Sequence, residues 1–243
     1  SGGRRLQWGD GKAGVTGAVV ARRRRGVRRR SRAEGGDVAV LEGGEGERGG
    51  GGTKESAGAA TEGHGRGRLG ASDEDVEALC REAGEVWPAN YNCPGQVVAS
   101  GLQRGVDRLM DLARARGIKA KLLDVDGAFH SAVMAPAADK LRESLSGVKI
   151  STPSLPFLSA TSAAFEKGEH LRALLAQQLT APVRFTQTVR LALDHGVTEF
   201  VEFGHRRVLV GLVRRIRPGV EAINVGDPSD IPALLALAGK SPR

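Results

Sequence analysis

The stretch SDEDVEALCREAGEVWPANYNCPGQVVASGLQRGVDRLMDLARARGIKAKLLDV, residues 72–125, decides how this chain folds. Ser72 and the carboxylates of Asp73, Glu74 and Asp75 precede Val76, Leu79 and Cys80. Such a start, followed by i, i+3, i+4 apolar spacing, predicts an amphipathic helix, and Gly84 closes it. Residues 86–92 read as a short strand running into a loop, with Cys93-Pro94-Gly95 as the turn. A second strand spans 96–100 and ends at Gly101. Val106, Leu109, Met110, Leu112 and Ala113 line one face of the next helix, stopped by Gly117, and residues 118–125 form a third, partly alternating strand.

Helix, strand, strand, helix, strand is a ferredoxin-like βαββαβ unit without its first strand, so something must pair with the open edge. Working outward toward the C-terminus, helices are expected over 134–145, 169–179, 186–195 and 208–215. Strands are expected over 155–159 (buried), 197–203 and 222–225, and the chain then fades after Arg217 into a short tail. Alternating strands and helices point to a parallel sheet of the α/β class.

Toward the N-terminus the character changes. Residues 1–70 hold 15 Lys+Arg against 8 Asp+Glu and 21 of the 35 glycines, which leaves a net of only +1 of the total +8 for everything after Gly70. Aromatic and branched apolar residues are scarce there and no apolar period can be followed, so burial cannot offset conformational entropy and disorder is expected. The two cysteines, Cys80 and Cys93, make neither a disulfide framework nor a metal site, since no second pair or histidine stands at ligand spacing. No apolar run approaches ~18 residues, so no membrane span is expected. The chain opens with Ser1 and reads as a fragment, which leaves its compartment open among cytoplasm, plastid and mitochondrial matrix.

Four motifs stand in order: WPANYNCPGQVVASG (87–101), GAFHSAVMAPAADKL (127–141), ALLAQQLTAPVRFTQTV (173–189) and FVEFGHRRVLVGLVRRI (200–216). Their sequence and spacing resemble the malonyl-CoA:acyl carrier protein transacylases of fatty acid synthesis and the related acyltransferase domains of polyketide synthases. The resemblance covers roughly residues 69–216. It implies an α/β fold: a partial α/β-hydrolase-like acyltransferase core with an inserted ferredoxin-like subdomain. The expected division is 1–68 disordered, 69–128 the ferredoxin-like subdomain with its first strand lost or altered, and 129–238 the C-terminal half of the core.

The resemblance implies site residues as well. His130 stands where the family has its general base: it takes the serine proton as the hydroxyl attacks the malonyl thioester, then returns one to the departing thiol. A histidine between Phe129 and Ser131 would otherwise pass for an ordinary surface or core residue. Gln178 matches the glutamine whose main-chain carbonyl accepts from the other imidazole nitrogen. Asn90 and Asn92 fall on pocket-lining asparagines, although loop asparagines beside Pro-Gly are also plain turn formers. Cys93 has no adjoining histidine or basic cluster and is not read as a nucleophile. Gly204-His205-Arg206 departs from the Gly-Pro-Gly usual at that turn, and His205 is expected to face solvent. No metal and no resident cofactor are expected; a coenzyme A thioester enters as substrate. Malonyl-CoA and acyl carrier protein are the expected partners of a monomer.

The family's Gly-His-Ser-Leu-Gly elbow, its glutamine-rich oxyanion loop and its carboxylate-gripping arginine do not occur, and no Gly-x-Ser-x-Gly exists in the chain. The chain as written is therefore expected to be inactive. Codons that encode residues 63–68 can, one base later, encode Gly-Met-Ala-Ala-Val, the family's first subdomain strand, with Leu69-Gly70 completing its pattern. A similar shift over residues 3–8 permits another family segment. Residues 1–68 are accordingly read as an out-of-frame translation restored near Leu69. Three other readings are the acyltransferase domain of a larger synthase, a non-catalytic carrier-protein-binding module, and a basic arm for nucleic acid built on arginines 22–25 and 28–30. The last has few aromatics to stack on bases.

Overall fold

A computed structural model describes residues 36–42, 71–123 and 127–239. The arginine runs at 22–25 and 28–30 and the frame-shifted reading of 3–8 and 63–68 lie outside the described residues.

The sheet built on residues 72–125 has four antiparallel strands. Helix α1 (Asp73–Ala83) carries the expected cap: Ser72 Oγ accepts from Asp75 N at 3.1 Å and the Asp75 carboxylate accepts from Ser72 N at 2.9 Å. Strands β2 (Val86–Cys93) and β3 (Gln96–Leu102) make the hairpin, helix α2 (Gln103–Ala115) follows, and β4 (Lys119–Leu123) completes the order read from sequence. The expected disorder over 1–68 does not hold at Gly36–Glu42. That segment is strand β1, paired antiparallel with β3 from Gly36↔Leu102 to Glu42↔Gln96 and with β4 from Val38↔Leu123 to Glu42↔Lys119. The sheet order is β2-β3-β1-β4, so β1 fills the place left open between two strands. Two ladders satisfy its backbone on both sides, a tertiary gain that a local reading of glycine-rich sequence leaves out.

The core of this half joins Val76, Leu79 and Cys80 of α1 to Val106, Leu109 and Ala113 of α2 and to Val97 and Ala99 of β3. Val76, Leu79, Val97, Val106 and Leu109 are wholly inaccessible. Each such side chain contributes about 1.5–3 kcal/mol by leaving water. α2 can lie this close because Gly101 and Gly105 lack side chains. A Cβ would meet the Glu85 carbonyl oxygen at 2.2 Å in the first case and the Gly84 carbonyl oxygen at 2.5 Å in the second.

Beyond residue 127 the elements are α3 (Ala135–Ser146), β5 (Phe157–Ser159), β6 (Ala164–Glu166), α4 (Gly168–Gln177), α5 (Phe185–Asp194), β7 (Glu199–Phe203), α6 (Val208–Ile216), β8 (Glu221–Val225) and α7 (Ile231–Gly239). Arg172 of α4 donates to the carbonyls of Leu145, Ser146 and Val148, which closes the orphaned end of α3. A second core unites Val189, Val210, Val213 and Ala222 with Phe185, Phe200 and Ile216.

Three expectations need correction here. Among the described residues the parallel sheet reduces to one pair of strands, β7 with β8, in register from Glu199↔Glu221 to Phe203↔Val225. Residues 155–159 are not a buried strand. β5 pairs antiparallel with the unforeseen β6, and Leu155 and Phe157 are 76% and 41% exposed. The apolar run is real, but an apolar face is buried only where a neighbour covers it. The short tail contains α7, whose Ala/Leu sequence is apolar all round and so gives no 3.6-residue contrast.

Candidate active site

Everything around His130 begins with its backbone. Its φ is +61°, the left-handed region that a β-carbon makes costly. Four hydrogen bonds hold the loop there. His130 N donates to Leu179 O at 3.0 Å, and the imidazole Nδ1 lies 2.7 Å from Gln178 O. Ser100 Oγ, buried inside β3, donates to Phe129 O at 2.5 Å, and buried Ser131 Oγ donates to Ala128 O at 2.6 Å.

The Gln178 carbonyl is free to serve because it caps the C-terminus of α4, where the last carbonyls have no intrahelical partner. A carbonyl only accepts, so Nδ1 carries the proton and Nε2 keeps its lone pair. The helix end places its partial negative charge beside the ring. One ring nitrogen is thus anchored to the end of α4. The Gln178 side chain turns back onto its own helix, Nε2 donating to Leu175 O at 3.1 Å, so the main chain alone meets His130.

Asn90 and Asn92 lie on one face of β2, alternating with buried Ala89, Tyr91 and Cys93. Asn90 is tied to the site through the segment after Gln178. It forms a parallel bridge with Val183, whose O accepts from Tyr91 N and whose N donates to Ala89 O, both at 2.8 Å. Thr186 Oγ1 adds a donation to Tyr91 O at 3.2 Å. Asn92 sits past an irregularity in the β2–β3 pairing, toward the hairpin turn. The structure thus brings His130 and Gln178 into contact and seats Asn90 beside the segment that follows Gln178; among the described residues Asn92 has no comparable tie. His205 is exposed in the turn before α6. Neither cysteine is presented to solvent, and burial pushes the Cys80 thiol up to about 12. Among the described residues no three His, Cys, Asp or Glu side chains gather as a metal site, and no helix is long and apolar enough to cross a membrane.

Sequence reasoning missed Ser100 and Val183. Ser100 had a signal, a lone hydroxyl in the apolar run Val97-Val98-Ala99; Val183 had none, because its contribution is purely main chain.

The family model described as an acyl transferase domain matches residues 57–224 of this chain. The chain belongs to that family. As an acyl transferase domain, it is 39% identical over 159 residues to the malonyl CoA-acyl carrier protein transacylase of Bacillus subtilis, covering 64% of this chain and 50% of the relative. Its fold superposes on an acyl-carrier-protein S-malonyltransferase from Bartonella henselae with a TM-score of 0.70 at 31% identity, over 85% of this chain and 59% of that one. It superposes equally, at a TM-score of 0.70 and 31% identity over 85% of this chain and 60% of the other, on a malonyl-transacylase in complex with its type II polyketide acyl-carrier protein. This acyl transferase domain chain spans about half the length of the curated relatives it matches.

Proposed function

We propose that this chain supplies the histidine half of an acyl-carrier-protein S-malonyltransferase, with malonyl-CoA and acyl carrier protein as substrates and no resident cofactor. In this reading residues 71–123 with strand β1 are a ferredoxin-like subdomain. Residues 129–238 are the C-terminal half of an α/β-hydrolase-like core. His130 Nε2 takes the proton of a serine hydroxyl as its oxygen attacks the malonyl thioester. The C–S bond breaks, coenzyme A leaves as a thiol with a proton returned by His130, and malonyl remains as a serine ester. The thiol of the carrier's phosphopantetheine then attacks that ester, His130 taking the thiol proton and restoring it to the serine. Gln178 O holds the ring and supports the transient imidazolium. Asn90 lines the pocket, with Asn92 farther out.

The observation that carries this reading is the 2.7 Å contact between Nδ1 and Gln178 O, which supports a ring oriented for proton transfer through Nε2. The serine is not in this chain, so the chain alone performs no transfer. The test is a chimera in which the part of the Bacillus relative with no counterpart here is joined ahead of Gly36, so that strand β1 is kept. It is assayed with malonyl-CoA and carrier proteins from both fatty acid and polyketide synthesis. Transfer is expected, and His130→Ala should lower it about 100-fold or more. A folded chimera that neither loads malonyl nor responds to His130→Ala refutes the reading.

A further inference from the structure

Strand β3 lies inside the sheet, and its side chains alternate between two faces. Val97 and Ala99 meet helices α1 and α2, whereas Val98 and Ser100 point the other way, where Val98 packs with Ala89 and Leu123. Ser100 is thus a hydroxyl on an apolar face, wholly inaccessible to water. Its main chain is held on both sides, paired with Val38 of β1 and with Trp87 of β2. Neither ladder needs the side chain. Burying a hydroxyl costs free energy unless it is bonded, and an alanine would fill the place at no such cost. The bond it makes is to Phe129 O, at 2.5 Å, one residue before the left-handed His130.

Strand β2, next to β3, holds the other partner of the ring. Its pairing with β3 is irregular on both sides of Asn90 and Tyr91. There it takes up the segment that follows Gln178: Val183 N donates to Ala89 O, Tyr91 N to Val183 O, and Thr186 Oγ1 to Tyr91 O. Thr186 is the counterpart of Ser100, a second buried hydroxyl given to a main-chain carbonyl of another element. Tyr91 is itself fixed, its hydroxyl donating to Glu77 of α1 at 2.7 Å and the Arg184 guanidinium lying 5.8 Å from its ring centre. His130 and Gln178 therefore reach each other from neighbouring strands of one hairpin. We infer that Ser100 and Thr186 are positioning residues for His130. The β2–β3 hairpin sets the approach of the imidazole to the Gln178 carbonyl, Ser100 through the loop that carries the ring and Thr186 through the segment that follows the carbonyl. Neither hydroxyl touches the reacting atoms. The inference rests on the function proposed above for the step the ring performs, and on geometry alone for the ring's orientation.

The experiment reads the tautomer of His130 in the full 243-residue chain by long-range nitrogen–proton NMR, with the ring neutral and His130→Ala identifying its signals. In the parent the Nδ1–H form should predominate. Ser100→Ala and Thr186→Val should each lower the ratio of the Nδ1–H to the Nε2–H form about threefold or more, the range expected for one lost hydrogen bond. Two variants separate orientation from stability. Thr186→Ser keeps the hydroxyl and should keep the parent ratio. Val98→Ala, on the same face as Ser100, should lower the melting temperature and leave the ratio unchanged. If Ser100→Ala does not fold, the two Thr186 variants carry the comparison. In the chimera described above, Ser100→Ala should lower kcat about tenfold or more with KM little changed, as a displaced catalytic group does. Three results overturn the inference: no Nδ1–H preference in the parent, a ratio unmoved by both hydroxyl deletions, or the same shift in Val98→Ala as in Ser100→Ala. A chimera that transfers no malonyl, in a protein whose tautomer still follows the hydroxyls, removes the proposed function and retains the positioning. An active chimera whose kcat ignores both deletions does the reverse.

Discussion

His130 offers a direct test of whether the site's geometry exists in solution. At φ +61° a residue with a β-carbon carries about 1–2 kcal/mol of strain that glycine does not. Glycine, in turn, loses about 0.4–1 kcal/mol more chain entropy on folding than alanine. Both His130→Gly and His130→Ala lose the bond to Gln178 O and the ring's packing, so those costs cancel between them. The difference leaves the glycine variant more stable by about 0.8 kcal/mol. With a urea dependence of about 2 kcal/mol per molar, its midpoint lies about 0.4 M above that of the alanine variant, as read by far-ultraviolet circular dichroism. His195 supplies the control. It is exposed, its φ is −91°, and there the order must invert, alanine exceeding glycine. An alanine variant at 130 as stable as the glycine variant, with the control behaving normally, would refute the left-handed anchor and the ring orientation built on it.

Gly101→Ala pushes a methyl into the Glu85 carbonyl and the Val86 Cα, backbone atoms that cannot turn aside, and should cost about 3 kcal/mol or more by thermal unfolding. Arg172→Leu removes three donations to the end of α3 and should cost about 1–3 kcal/mol. Cys80 sets an alkaline limit: its folded value is raised, so the thiol keeps its proton to about pH 12 while the unfolded chain ionises near 9. Stability should therefore fall as pH rises through that window, by up to about 1.4 kcal/mol per pH unit, and Cys80→Ala should flatten the slope. The same burial predicts that a thiol reagent labels Cys80 only after unfolding.

How much of this was legible in the sequence depended on where the information lay. α1, β2, β3, α2 and β4 were readable because caps, turn residues and apolar periods coincide there, and each boundary fell within two or three residues of its structural position. His130 and Gln178 were legible through motif order, and their contact joins residues 48 apart in sequence. β1 was hidden because its stability comes from two neighbouring strands rather than from its own composition. β5 was misread as buried because an apolar run does not say whether a neighbour exists to cover it. Val183 went unnoticed because it acts through its main-chain N–H and carbonyl, which leave almost no compositional trace, whereas the Ser100 hydroxyl stood out in an apolar run but its long-range partner did not.

The left-handed histidine has one more consequence. Its peptide and ring are fastened to residues 100, 178 and 179, brought together from two separate stretches of chain and from two different layers of the fold. The imidazole resonances of His130 therefore behave as a gauge of assembly: they take their native values only when sheet, loop and helix end have all met. Any solvent, ligand or truncation that loosens one of the three will be visible at this one ring before the bulk of the molecule unravels.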